Sequence, residues 1–173
     1  MSSPTRQLRS IRTWILIMMT GIFLSGITAF PLESELTWLL GFRSSFPDFL
    51  ASWIQYVYEG IHQTNLHYPY MAYGTDWLAF AHIVIALAFI GPLRDPVRNL
   101  WVIEWGMMCC IGVLPLALIM GPVRQIPFFH IVVDCSFGII GIIPLLLVKR
   151  KILSLEKTVR RKNNPAPVPY SAS

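Results

Sequence analysis

Apolar and polar positions fall in long blocks along this chain, not at the short periods of a soluble fold. Four apolar runs stand out, at residues 13–30, 76–93, 100–120 and 126–148. A hydrocarbon core ~30 Å thick needs roughly 20 apolar residues of helix, and each run is about that long. The pattern predicts an all-α integral membrane four-helix bundle. Residues 13–148 form its single domain, flanked by a basic segment at 1–12 and a basic, proline-containing tail at 149–173.

Residues 31–75 carry a different pattern. Ser45-x-x-Asp48 resembles a capping box with Pro47 in the first turn. Behind it Leu50, Trp53, Ile54, Val57 and Ile61 recur at intervals of three and four. That spacing predicts an amphipathic interfacial helix between spans one and two, ending near Gly60. Trp38, Trp53, Tyr56, Tyr58, Tyr68, Tyr70, Tyr73 and Trp77 accompany it, as interfacial anchors or as the roof of a pocket.

Punctuation supports these limits. Pro31 is expected to end the first span, and Gly91-Pro92 and Gly121-Pro122 to turn the chain after the second and third. Short connections make spans two, three and four antiparallel neighbours. Pro115 and Pro144 fall inside spans, which lipid-embedded helices tolerate. Pro165, Pro167 and Pro169 mark an expected disordered tail. Gly21, Ser25 and Ala29, four apart, give the first span a small-residue stripe for close helix packing.

Charge gives the spans a direction. The net charge is +5, and only 13% of residues are charged, against roughly 25% in soluble domains. Of 14 basic residues, 12 fall on one side of a four-span topology: Arg6, Arg9, Arg12, Arg94, Arg98, Lys149, Arg150, Lys151, Lys157, Arg160, Arg161 and Lys162. Arg43 and Arg124 fall on the other. The positive-inside rule then predicts both termini in the cytoplasm, with the basic tail drawn to anionic headgroups and not to nucleic acid. The first run is read as a retained helix, since Ile27 would occupy a cleavage-site position that prefers a small side chain. Short loops and the absence of eukaryotic sorting signals point to a bacterial inner membrane. Cys109, Cys110 and Cys135 form no C-x-x-C pair and read as small buried residues.

Ionisable groups inside spans are costly and mark candidate chemistry. His130 and Asp134 are four apart and share a helix face with Gly138 and Gly141, so the carboxylate can orient an acid–base imidazole. His82 lies ~9 Å into span two and His130 ~6 Å into span four at 1.5 Å per residue. His82 and His130 are therefore the candidate cofactor ligands, for a transition metal or a haem. Neither H-E-x-x-H nor C-x-x-C-H occurs in the sequence. Glu104 is expected to pair with Arg94 or Arg98, and Met107 and Met108 to serve packing.

The leading expectation is a non-enzymatic subunit of a membrane complex that binds lipid, a membrane-protein partner or a second copy. The alternative is a membrane-embedded oxidoreductase or lipid-modifying enzyme, with His130 and Asp134 catalytic. A third is a proton-coupled carrier using Asp134 and Glu104.

Overall fold

The computed structural model describes residues 4–163, with side chains described as far as residue 158. The side chains of Arg160, Arg161 and Lys162, and the tail containing Pro165, Pro167 and Pro169, lie outside the described residues. The described residues are all-helical, with no strand among them. In order they form α1 (Pro4–Ala29), α2 (Leu32–Leu40), α3 (Asp48–His67), α4 (Ala72–Ala88), α5 (Ile90–Arg94), α6 (Leu100–Val123) and α7 (Phe128–Asn163). Four stretches are long and apolar enough to cross a membrane: Thr5–Ala29, Pro69–Arg94, Leu100–Val123 and Phe128–Thr158. Helix suits them because a segment in lipid must satisfy its own backbone N–H and C=O groups.

Several boundaries differ from those expected. The stretch after Pro31 is helical, as α2, where a connecting segment was anticipated. The expected capping box is not made: Pro47 stands at the N-cap of α3, without a side-chain cap, and Ser45 closes a short 3-10 turn. α3 also runs through Gly60 to His67, because no glycine among the described residues takes the left-handed conformation that would stop it. Pro92 lies within α5, and the chain turns at residues 96–99 instead. Likewise α6 continues through Gly121-Pro122 to Val123, and Gln125, at φ 57°, makes the turn. α7 passes the end of its apolar run at Val148 and carries on to Asn163.

The chain divides into two compact units. One joins the first nineteen residues to the chain from Ala88 onward; the other is Thr20–Leu87. In the first, α6 and α7 make the most extensive helix–helix contact of the fold. α7 presents a seven-residue repeat: Ile131, Gly138, Leu145 and Ile152, with Asp134, Gly141, Val148 and Leu155 three places on. Ile131, Gly138, Leu145, Val148, Ile152 and Leu155 are buried. This is the seam of a coiled coil.

The register against α6 is antiparallel. Gly121 faces Ile131, Gly138 faces Cys110 and Val113, and Gly106 faces Leu145 and Phe89. A Cβ on Gly138 would lie 2.5 Å from the Cys110 carbonyl oxygen, so only glycine allows this approach. Large side chains fill the lower part of the seam, with Ile11, Ile15, Phe89, Ile103, Leu145, Val148 and Ile152 nearly inaccessible.

Polar contacts close the same end. Arg12 donates to the Leu93 carbonyl at 3.2 Å and the Arg94 carbonyl at 3.4 Å, capping α5. Asn99 donates to the Gly91 and Asp95 carbonyls, and the Asp95 carboxylate accepts from the Arg98 amide, fixing the turn. Gln7 donates to the Lys151 carbonyl at 2.9 Å, and Lys151 donates to the Ser10 hydroxyl, tying α1 to α7.

In the Thr20–Leu87 unit the buried residues are small: Gly26, Ala51, Ala79 and Ala86, with Leu36. Gly26 brings α1 against α4, where an added Cβ would meet the Ala79 carbonyl oxygen at 2.8 Å. α2 and α3 form a helical hairpin beyond the end of α1.

Gly138→Ala should lower the thermal midpoint of the detergent-solubilised protein by the equivalent of about 1–3 kcal/mol, the usual cost of overpacking. Gly112→Ala is the matched control, because nothing lies within 4 Å of its added Cβ. Equal midpoints for the two variants would show that the seam does not depend on the glycine.

Candidate functional site

α1 ends at Ala29, and Phe30-Pro31 turns the chain into α2, whose first turn carries Glu33 and Glu35. Acids there complement the partial positive charge of a helix N-terminus. Glu33 reaches across the hairpin to α3. His62 Nδ1 donates to Glu33 Oε1 at 2.6 Å, and Asn65 Nδ2 donates to Oε2 at 2.6 Å. His62 and Asn65, three apart, lie on one face of α3. The His62 ring is stacked on Tyr58, centroids 5.4 Å apart at 12°. The hydrogen bond from His62, then that from Asn65, holds the Glu33 carboxyl below the ordinary carboxylate range. The imidazole's charge adds to this effect and partial desolvation opposes it.

This clasp borders a cavity of about 870 Å³ contained within the Thr20–Leu87 unit. Ala29–Ser34 form one wall. Tyr56, Val57, Gly60, Ile61 and Thr64 of α3 form a second, and Met71, Ala72, Thr75 and Asp76 at the head of α4 a third. Ligand pockets typically span roughly 300–1,000 Å³, and this space falls in that range. Three carboxylates line it, on Glu33, Glu59 and Asp76, and no lysine or arginine does. Two of them are engaged: Glu33 by the clasp, and Glu59 by a 2.7 Å hydrogen bond from Gln55. Aromatic pairs continue beside it, Trp53 stacked on Tyr56 and Tyr73 edge-on to Trp77.

The residues singled out in the sequence fall elsewhere. His130 Nε2 lies 3.7 Å from Asp134 Oδ1, close enough for charge attraction but beyond a hydrogen bond. His82 is in the Thr20–Leu87 unit, opposite Gly26. Its Nδ1 donates to the Leu78 carbonyl at 2.9 Å, so Nδ1 carries a proton. Glu104 pairs with Lys149 at 2.8 Å, not with the expected Arg94 or Arg98. The antiparallel register explains this, since it sets the start of α6, around Glu104, beside the end of the apolar stretch of α7. Among the described residues no group of three or more His, Cys, Asp or Glu is placed to hold a metal ion.

The clasp was not anticipated, although His62 and Asn65 continue the helical spacing of α3 past Gly60; a pocket on this face was the alternative to anchoring for its aromatics. No family model, curated protein or solved structure matches this chain.

Because the folded state lowers the Glu33 pKa, the clasp contributes its full stability above the ordinary carboxylate range. That contribution is lost as pH falls through the lowered value. Tryptophan fluorescence from Trp38 and Trp53 should therefore show an acid transition that Glu33→Gln removes. An identical transition in Glu33→Gln would exclude Glu33 as its source.

Proposed function

We propose that this chain is a small integral membrane protein that binds a lipid or similar amphiphile beside the α2–α3 hairpin, acting as a subunit of a membrane complex. The observation that carries this reading is the cavity between the end of the first span, the head of the second and α3. Its walls combine apolar side chains, Leu32, Val57, Ile61 and Met71, with the Glu33, Glu59 and Asp76 carboxylates and the hydroxyls of Thr64 and Thr75. That mixture fits a molecule with an apolar body and a head that presents an ammonium or hydroxyl group to the carboxylates. Its place at span ends supports a position at the level where bilayer headgroups meet acyl chains.

The charge pattern supports an orientation with both termini cytoplasmic in a bacterial inner membrane, and the cavity on the opposite side. In that orientation α3 lies at the interface, with Leu50, Trp53, Ile54, Val57 and Ile61 toward the apolar layer and the exposed Tyr70 and Tyr73 as anchors. A cavity there would select its ligand from the leaflet, not from solution. The partners implied are the bilayer, other membrane proteins or a second copy.

Gly60 offers a direct test, because a Cβ added to it meets nothing within 4 Å while the residue lines the cavity. A Gly60→Phe chain should keep its helical content and fill the space. Native mass spectrometry of protein released from nanodiscs should show bound phospholipid on the unaltered chain, and at least about tenfold less on Gly60→Phe, the loss of one well-buried contact. Equal occupancy, or no lipid on the unaltered chain, would refute the reading.

A further inference from the structure

The two spans of the α6–α7 pair are almost free of charge. α6 holds one charged residue, Glu104 in its second turn, and the first twenty residues of α7 hold Asp134 with His130 one turn before it. Asp134 begins six residues after Phe128, ~9 Å along the helix axis, so it lies inside the span and not at its rim. It belongs to the seven-residue repeat of α7, at the place that Gly141, Val148 and Leu155 occupy further down. The register set by Gly106 against Leu145 and Gly138 against Val113 brings Ala117 opposite it. A methyl group there leaves the carboxylate without a polar neighbour from α6.

Asp134 is 41% exposed and His130 42%. Beside them Val133, Phe137 and Ile140 are exposed as well. The pair therefore sits at the edge of the seam, next to an apolar surface of the size of one helix face. Among the described residues the ion pair of Asp134 is with His130, at a distance too long for a hydrogen bond. The nearest cation in the sequence, Arg124, is in the connecting turn. A carboxylate at this depth, facing an apolar surround, calls for a cation at equal depth.

We infer that this face of α7 is a docking surface for a transmembrane helix of another protein that carries a lysine or arginine about two turns from its own end. The cation pairs with Asp134, and the partner's apolar side chains cover Val133, Phe137 and Ile140. Charge complementarity selects this occupant over a purely apolar helix, which would bury the carboxylate without a donor. The inference is independent of the lipid cavity, which belongs to the other unit.

The test uses the full chain reconstituted in phosphatidylcholine vesicles with a fluorescent poly-leucine–alanine transmembrane peptide. One peptide carries a single lysine six residues from its end, a second carries leucine there, and a third carries the lysine at its centre. Energy transfer from the protein's tryptophans should show the first binding about tenfold tighter than the other two, near the upper limit measured for polar contacts between membrane helices. Asp134→Asn should erase that preference. Equal binding of the three peptides to the unaltered chain would overturn the proposal, as would a preference that survives Asp134→Asn. If Asp134→Asn loses helical structure, the position series on the unaltered chain decides alone. Copies of the chain associating with one another through Asp134, in the absence of peptide, would also overturn it in favour of a homo-oligomer.

Discussion

The close approach of α6 and α7 at Gly138 is the contact on which the larger unit depends. Lipid gives two apolar helices no hydrophobic reason to associate, so van der Waals packing must hold them. Gly138 lets the backbone of α7 touch the Cys110 carbonyl, and that contact sets the antiparallel register. From the register follow Leu145 against Gly106, Lys149 beside Glu104, and the continuation of α7 as a stalk onto which the start of α1 is tied. The exposed Glu104–Lys149 pair contributes little energy of its own, ~0–1 kcal/mol for such pairs. It reports the register without creating it.

The two units divide their labour differently. The unit containing α6 and α7 buries large aliphatic side chains and closes its basic end with backbone-directed hydrogen bonds. The Thr20–Leu87 unit buries mainly glycine and alanine and leaves a hollow beside its helical hairpin. Well-packed interiors hold few voids larger than a water molecule, so a hollow of this size marks binding more readily than stability. Glu33 holds α2 against α3 beside it, so the clasp is a structural support of the cavity.

Hydropathy made the spans legible, because apolar length is a property of local sequence. What it hid were the places where helix and apolar run part company. α7 continues through Lys149-Arg150-Lys151, and the continued spacing of Ile152 and Leu155 was the signal, masked by the charges between them. Gly60 resembles a stop, yet a glycine stops a helix only where the chain takes a left-handed turn there. Cutting α3 at Gly60 removed His62 and Asn65 from the helix and with them any view of the Glu33 clasp. His130 and Asp134 were legible as neighbours because they are one turn apart. The partner of Glu104 was not, since a pairing across more than forty residues follows from helix register alone.

The proposed lipid site lies at the α2–α3 hairpin. Photoactivatable phospholipid, incorporated in nanodiscs with the full chain and mapped by peptide mass spectrometry, tests this most directly. The account predicts adducts concentrated on the peptides spanning residues 56–65 and 71–76, in excess of those along the exposed faces of α6 and α7. Adducts spread evenly over the exposed span faces, with the hairpin unlabelled, would contradict it.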